Sequence, residues 1–183
     1  MTEQLMEIGG RLKGLREMTD IPVEEMAQAM QLSAAEYLAY EQGQRDFSFS
    51  FLHNAAAALG VDVVELISGE SPKLKTCTLV RKGEGYDITR RENYDYKHLA
   101  FTFRGKKAEP FLVTVEPKDD TLTPHSHAGQ EFNYMVSGRM EFRLDGIVYE
   151  LDKGDSVYFD SGLPHAMKAL SGQPAQFIAV VVK

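Results

Sequence analysis

The sequence predicts two domains of different class, an all-α module followed by an all-β barrel or sandwich. Residues 1–69 carry apolar side chains at helical spacing, interrupted by capping residues and glycines. Residues 77–183 carry many short strand candidates separated by turn signals, among them Asp145-Gly146, a pair typical of tight hairpins. Residues 70–76 are polar and contain a proline, so they are expected to form the linker between the two domains.

Composition limits where the chain is expected to work. Its 183 residues include one cysteine, Cys77, which cannot form an intramolecular disulfide and therefore favours a reducing compartment. No apolar run approaches the length that spans a membrane, and the charged N-terminal segment does not resemble a signal peptide. We therefore expect a cytoplasmic protein that does not enter a membrane.

The net charge of −7 is unevenly distributed along the chain. Residues 1–69 contain four basic and eleven acidic side chains, whereas residues 70–183 contain sixteen of each. The whole negative charge therefore belongs to the helical third. This distribution argues against strong binding of a phosphate backbone there, because such binding depends on lysine and arginine.

Five helices are predicted in the first domain from apolar spacing and from capping patterns, such as the capping box of Ser33 and Glu36. They are expected to run from Ile8 to Met18, from Pro22 to about Met30, from Ser33 to Gly43, from Ser48 or Ser50 to Gly60, and from Asp62 onward. Five short helices with short connections indicate a compact helical module.

Four segments of this module, "RLKGLRE", "VEEMAQAM", "LSAAEYLAYEQG" and "ALGVDVVELI", resemble the Cro/repressor-type helix-turn-helix domain across residues 8–68. In that family the recognition helix lies in the major groove of operator DNA. The resemblance implies that the contacts to DNA come from the start of the third helix. The corresponding residues are Ser33, Ala34, Ala35, Glu36 and Ala39.

The chemistry of the expected recognition helix leaves two interpretations open. The positions of this helix that are expected to be exposed are Ala34, Ala35, Glu36, Leu38 and Ala39. None of these side chains donates a hydrogen bond, and Glu36 would repel phosphate. The module either binds operator DNA or keeps this fold without DNA contact and serves for dimerisation. A symmetric homodimer is expected in both cases.

Three histidines and one glutamate in the second domain have a spacing that suits metal binding. His125 and His127 are two residues apart, so on a strand both side chains point to one face, and Glu131 follows after a short turn. His165 is their distant partner. Imidazole and carboxylate groups suit first-row divalent metals, and these four residues therefore predict a mononuclear site.

The same residues carry a family resemblance. Two histidines one residue apart, a glutamate four further on and a glycine seven beyond that form the first cupin motif, and the second motif is a spaced set of glycines with one histidine. The matching residues are His125, His127, Glu131 and Gly138, followed by Gly154, Gly162 and His165. Residues 77–183 thus resemble the cupin family, which implies a double-stranded β-helix (jelly-roll) barrel. The resemblance also implies one iron, manganese, nickel or zinc ion per chain.

A pocket for a small-molecule effector is expected around the metal, inside the barrel. Strand parity and proximity in sequence place tyrosines, methionines, an amide and one arginine there. The expected pocket residues are Tyr94, Tyr96, Arg104, Asn133, Met135, Tyr158 and Met167.

Two functions follow from these resemblances. A helix-turn-helix domain followed by a cupin domain resembles bacterial transcription regulators, in which the barrel senses a small molecule and the helical domain binds operator DNA as a dimer. The alternative is a mononuclear iron enzyme without DNA binding. Segments "HAGQEF" and "LPHA" and the pair Tyr94 and Tyr96 resemble hydroxypropylphosphonate epoxidase, which implies a triad of His127, Glu131 and His165. Asp20 replaces a phosphonate-binding lysine, so epoxidation itself is not expected.

Overall fold

The structure is a computed structural model that describes residues 3–91, 94–117 and 122–182. It divides into two compact units, Met1–Leu74 and Lys75–Lys183. The first unit is helical and the second consists of antiparallel strands, so the predicted fold class is confirmed. No helix in the described ranges is long and apolar enough to cross a membrane.

Five helices form the first unit, and each corresponds to a predicted helix. They are α1 (Glu3–Met18), α2 (Val23–Ala29), α3 (Ala34–Glu41), α4 (Phe49–Leu59) and α5 (Val63–Ser68). The side chains of Ser48 and Asp62 accept hydrogen bonds from the first turns of α4 and α5, and Gly60 and Gly69 end these helices in the left-handed conformation. Capping chemistry visible in the sequence therefore sets these boundaries.

A buried ion pair joins the first helix to the third. Arg16 of α1 uses Nε and Nη2 to bind both carboxylate oxygens of Glu41 of α3, the second contact measuring 3.2 Å. Its remaining nitrogen Nη1 donates to the carbonyl of Ile21. The hydrogen bond to Glu41 raises the pKa of the Arg16 guanidinium above its ordinary value. This cluster fixes the packing of α1 on α3, and it leaves the two charges well paired.

Nine strands form the second unit in the described residues. They are β1 (Tyr86–Arg91), β2 (Tyr94–His98), β3 (Ala108–Val115), β4 (Gln130–Ser137), β5 (Arg139–Leu144), β6 (Ile147–Asp152), β7 (Ser156–Asp160), β8 (His165–Ala169) and β9 (Ala175–Val182). A six-stranded sheet has the order β1-β2-β3-β9-β4-β7, and a three-stranded sheet has the order β6-β5-β8. This is a jelly-roll arrangement of two sheets.

Alternating burial identifies the inner face of the six-stranded sheet. Buried and half-buried residues alternate along β3 and β9, and the buried set faces the core. Val181 of β9 lies directly between Glu109 of β3 and Glu131 of β4 in the strand register. Because directly paired residues share a face, both glutamates point into the barrel.

The sequence also predicts strands from Leu122 to His127 and from Tyr94 to Phe103, and both predictions were wrong in extent. The segment from Leu122 to His127 forms only an isolated bridge between His125 and His165, since Pro124 lacks the N–H that a continuous ladder needs. The strand predicted from Tyr94 to Phe103 ends at His98. The chain then turns before β3, so the following residues are not part of the sheet.

Candidate functional site

Three buried residues of the second unit bring potential metal ligands together. His127, Glu131 and His165 each offer a ligand atom, and these atoms all lie within 4.8 Å of one another. Glu131 points inward from β4, and His165 begins β8. His127 precedes β4 and is held by its backbone N–H, which donates to the carbonyl of Ser161 at 2.9 Å. Three separate segments therefore converge on one point inside the barrel.

His165 is arranged to present a free lone pair to this point. Its Nδ1–H donates to the carbonyl of Leu163 at 2.9 Å, which fixes the tautomer and leaves Nε2 without a proton. Nε2 is buried, and none of the residues that the structure describes forms a hydrogen bond with it. Burial also lowers the pKa of the His165 imidazole from its ordinary value of 6.5, so the neutral form persists. A buried acceptor left in this state fits a metal ligand.

His127 and Glu131 face each other across the same point. The Nδ1–H of His127 donates to the carbonyl of Ala128 at 3.3 Å, and its Nε2 lies 3.0 Å from Oε2 of Glu131. With Nδ1 protonated, a neutral ring would set a lone pair against a carboxylate oxygen. A proton or a metal ion between the two atoms removes this repulsion, and the two-histidine, one-carboxylate set suits a divalent transition metal.

The fourth predicted ligand, His125, is not a member of this group of three. It is half-buried, its backbone pairs with that of His165, and the centroids of the two rings are 4.4 Å apart. The group of three whose ligand atoms meet within 4.8 Å does not include His125. Its role as a ligand remains a prediction.

Comparison with known families identifies both units. Residues 7–67 match the family model of the helix-turn-helix domain, and residues 111–181 match that of the cupin domain. The chain joins a helix-turn-helix domain to a cupin domain. The expected domain types are therefore confirmed, and the three converging residues lie in the cupin domain.

Solved structures of both expected kinds share this fold. An HTH_3 family transcriptional regulator from Vibrio cholerae is 21% identical and superposes with a TM-score of 0.72, over 98% of this chain and 97% of that one. Hydroxypropylphosphonic acid epoxidase from S. wedmorenis is 23% identical with a TM-score of 0.52, over 99% and 100%. The iron(II) form of HppE is 22% identical with a TM-score of 0.54, over 97% and 99%. The comparison with curated proteins found no match. At these identities the structures establish a shared fold.

Several predicted pocket residues lie inside the cupin domain. Asn133 and Met135 are buried on the inner face of β4, and Met167 is buried on β8. The hydroxyl of Tyr94 donates to the carbonyl of Met167 and accepts from its N–H at 3.3 Å, which joins the two sheets beside His165. The half-buried Tyr96 ring lies 6.1 Å from that of Tyr94, measured between centroids.

Two pocket predictions need correction. Tyr158 is 61% exposed, because Phe159 and not Tyr158 pairs with Glu131 and shares its inward face. The hydroxyl of Tyr158 donates instead to the side chain of Gln130 at 2.6 Å. Arg104 is also exposed, since it lies in a turn outside the strands. The expected place of Arg104 in the pocket therefore has no support from its position.

A second buried polar cluster in the cupin domain escaped the sequence analysis. His98 Nε2 lies 2.7 Å from Oε2 of Glu109, and Nζ of Lys106 lies 3.8 Å from the same oxygen. The Nδ1 of His98 accepts from the N–H of Ala100 at 3.0 Å, so Nε2 carries the proton and donates to Glu109. The available signal was Glu109, a charged residue at a position of β3 whose parity matches the apolar core.

The expected DNA-contact residues in the helix-turn-helix domain either form hydrogen bonds with each other or are alanines. The Ser33 hydroxyl and the Ser33 backbone N–H both donate to the Glu36 carboxylate, at 2.7 and 3.0 Å, and the Ser33 hydroxyl accepts from the Glu36 N–H at 3.3 Å, which completes the capping box. The two hydrogen bonds that Ser33 donates lower the pKa of Glu36 and keep it charged. Ala35 is exposed, and Ala34 and Ala39 are half-buried.

Polar donors lie just beyond α3 instead. The side chains of Gln42, Gln44 and Arg45 are exposed in the turn that follows this helix. They were not among the predicted contacts, because the sequence analysis considered only the first turns of α3. Any contact with DNA from this part of the domain depends on these three side chains more than on the alanines.

Proposed function

We propose that the protein is a cytoplasmic transcriptional regulator whose cupin domain binds a small-molecule effector at a divalent metal and whose helix-turn-helix domain binds operator DNA. The observation that carries this proposal is the buried group of His127, Glu131 and His165 in a chain that also has a DNA-binding fold. The similar fold of the regulator from Vibrio cholerae supports it.

The metal would be held by the Nε2 atoms of His127 and His165 and by the carboxylate of Glu131. A bound metal supplies an electrophilic anchor for an oxygen or nitrogen atom of the effector. The surrounding protein excludes water and orients the ligands through the hydrogen bonds to Leu163 and Ala128.

Metal analysis after purification in metal-supplemented medium tests this site. We expect one transition metal per chain, and we expect His127→Ala to lose it. Gln130→Ala is the matched control, because Gln130 is exposed and adjacent to Glu131 in sequence. Retention of full metal content in His127→Ala, or its absence from the unmodified protein, would contradict the proposal.

DNA binding is expected to be weak. The helical third is acidic, and Arg45 is the exposed cation near α3 in the described residues. A gel-shift titration at low salt against the protein's own promoter should show a complex that Arg45→Ala weakens. Lys13→Ala, on the exposed side of α1, serves as the charge-matched control. The absence of any complex at low salt with folded protein would rule out this function.

We propose further that the regulator is a homodimer that forms through the outer face of the six-stranded sheet. We call this surface the apolar outer face; it comprises Pro110, Leu112, Phe132, Tyr134, Val136, Tyr158, Ile178 and Val180. The register makes it continuous, because Tyr134 pairs with Ile178, and Ile178 pairs with Leu112. Tyr134 is 45% exposed and Tyr158 61% exposed.

Charge and area favour a second copy as the occupant. The eight residues of the apolar outer face carry no charge, so two copies of an acidic chain meet there without repulsion. Charged neighbours on the same side of the sheet lie at its edges: Lys97, which pairs with Leu112 and bonds to Asp87, and Asp160, which pairs with Gln130. Eight partly exposed side chains amount to an area on the order of 400 Å², the size at which surface patches become interaction sites. With a polar rim, two copies reach the roughly 1,200 Å² of a specific interface.

Light scattering coupled to gel filtration tests the dimer. Tyr134→Glu should yield a monomer, since it buries a charge in the interface. Val148→Glu is the matched control: Val148 is 51% exposed, but it belongs to the three-stranded sheet. A monomeric unmodified protein, or an unchanged dimer in Tyr134→Glu, would contradict this surface.

The second candidate function is an iron-dependent enzyme. It is favoured by the observation that three residues, without His125, form the compact ligand group, because a metal with three protein ligands has positions open to a substrate. Oxygen consumption by the iron-loaded protein in the presence of candidate organic acids tests this function. Catalytic turnover that is lost in Glu131→Ala would replace the regulator proposal.

A further inference from the structure

Asn133 contacts the metal-ligand group although it is not itself an expected ligand. It lies two residues after Glu131 on the inner face of β4 and is 1% exposed. Its Nδ2 donates to Oε1 of Glu131 at 2.8 Å. The opposite orientation of the amide would set its oxygen against a carboxylate oxygen, so the hydrogen bond determines which end of the amide faces Glu131.

This hydrogen bond gives the two carboxylate oxygens of Glu131 different partners. Oε1 accepts from Asn133, whereas Oε2 lies 3.0 Å from Nε2 of His127, where the metal is expected. A carboxylate can bind a metal through one oxygen or through both. With Oε1 held by the amide, Glu131 offers one oxygen, and coordination positions remain for other ligands.

The other end of the amide is a buried acceptor without a partner. Oδ1 of Asn133 has no hydrogen bond in the structure. An amide oxygen and nitrogen are about 2.3 Å apart from standard bond lengths, which places Oδ1 within about 5 Å of Oε1 of Glu131. Leaving such a buried acceptor unpaired is unfavourable, and a ligand that donates a hydrogen bond to it removes this cost.

We propose that Asn133 holds Glu131 as a one-oxygen metal ligand and that its carbonyl oxygen accepts a hydrogen bond from a protic group of the metal-bound effector. This inference rests on the proposed metal site. The effector class that it selects bears a hydroxyl or amine close to its metal-binding atom. Anions without such a donor are disfavoured, because their oxygens would face the Asn133 oxygen as a second acceptor.

The experiment uses the full-length protein loaded with cobalt(II), whose visible absorption reports ligand binding. Glycolate and acetate are the probes, since they differ by one hydroxyl group. We expect the unmodified protein to prefer glycolate, partly through chelation and partly through Asn133. Asn133→Leu should lower the ratio of the two affinities about tenfold, which corresponds to the roughly 1.4 kcal/mol of one hydrogen bond.

A second readout reports the carboxylate. In infrared difference spectra between cobalt-loaded and metal-free protein, the separation of the two carboxylate stretches should narrow in Asn133→Leu, as Glu131 changes to two-oxygen binding. Met140→Leu is the control, because Met140 is buried on β5 of the three-stranded sheet and is not among the expected pocket residues. Asn133→Ser provides a smaller, polar replacement if the leucine variant does not fold.

The outcomes separate this inference from the function on which it rests. If the unmodified protein takes up no cobalt, the proposed metal site fails. If cobalt binds but the affinity ratio and the carboxylate stretches are the same in the unmodified protein and both Asn133 variants, the metal site stands and the role of Asn133 is wrong. Failure of the unmodified, cobalt-loaded protein to prefer glycolate would likewise contradict the inference.

Discussion

Each domain contains a buried cluster of charged and polar side chains, and the two clusters differ in how completely they are paired. In the helix-turn-helix domain, Arg16 binds both oxygens of Glu41 and its remaining nitrogen binds a carbonyl. In the cupin domain, Nε2 of His165 and Oδ1 of Asn133 are buried without partners. The charges of the helical cluster are paired, although the Tyr37 hydroxyl of the same domain is also buried without a hydrogen-bond partner among the described residues. A paired charge serves stability, whereas unpaired groups beside a set of potential metal ligands indicate a missing ligand.

The largest expected effect is a loss of stability when the ion pair of Arg16 and Glu41 is broken. Glu41→Ala leaves the Arg16 guanidinium buried without its carboxylate and should cost about 3–5 kcal/mol of the stability of the helical domain. Hydrogen exchange followed by mass spectrometry on the full chain should show faster exchange in α1 to α5 and unchanged exchange in the strands.

Glu17→Ala is the control for this prediction. The Glu17 carboxylate lies 3.7 Å from Nη2 of Arg16, but its side chain is 56% exposed. Its removal should cost less than about 1 kcal/mol. Equal costs for the two variants would show that the buried pair does not hold α1 on α3.

The second, smaller effect is the stabilisation of the cupin domain by a metal ion bound to His127, Glu131 and His165. At a metal concentration about one hundred times its Kd, the free energy of unfolding of the cupin domain should rise by about 2.7 kcal/mol. The increase should disappear in His165→Ala, which removes one ligand. The same exchange experiment checks that protection increases in the strands alone; equal protection of the helices would contradict a site confined to the cupin domain.

The third effect concerns pH in the metal-free protein. Burial lowers the pKa of His165 below 6.5 in the folded cupin domain. Between pH 6.5 and this lowered pKa, His165 is therefore protonated in the unfolded chain and neutral in the folded domain. The contribution of His165 to stability is therefore complete above pH 6.5. It declines as pH falls toward the lowered pKa, with a slope of at most about 1.4 kcal/mol per pH unit.

Urea unfolding at several pH values between 7.5 and 5 measures this slope. His165→Gln should show a shallower decline than the unmodified protein, because glutamine does not titrate. Equal slopes would mean that protonation of His165 is not linked to unfolding. The unmodified protein loaded with metal should also lose its metal in the same range, since protons compete for the histidine ligands.

Local signals predicted most of the fold. Helix caps such as Ser33, Ser48 and Asp62 act within a few residues, so the helical boundaries follow from the sequence alone. Predictions for the strands were wrong where the position of a residue depends on pairing with a strand far away in the sequence. Tyr158 was assigned to the wrong face because the parity of β7 is set by its pairing with β4, and no residue within β7 reveals that register.

By itself the sequence determined the two domain types and named His125, His127, Glu131 and His165 as candidate ligands, because capping and motif spacing are legible along the chain. The structure brings the last three of these together. The tertiary structure decided which polar atoms are satisfied. The pairing of Arg16 with Glu41, and the unpaired state of His165 Nε2 and Asn133 Oδ1, depend on contacts between segments far apart in the chain. In the buried, low-dielectric interior, paired polar groups stabilise the fold, whereas unpaired ones are unfavourable until a ligand binds them.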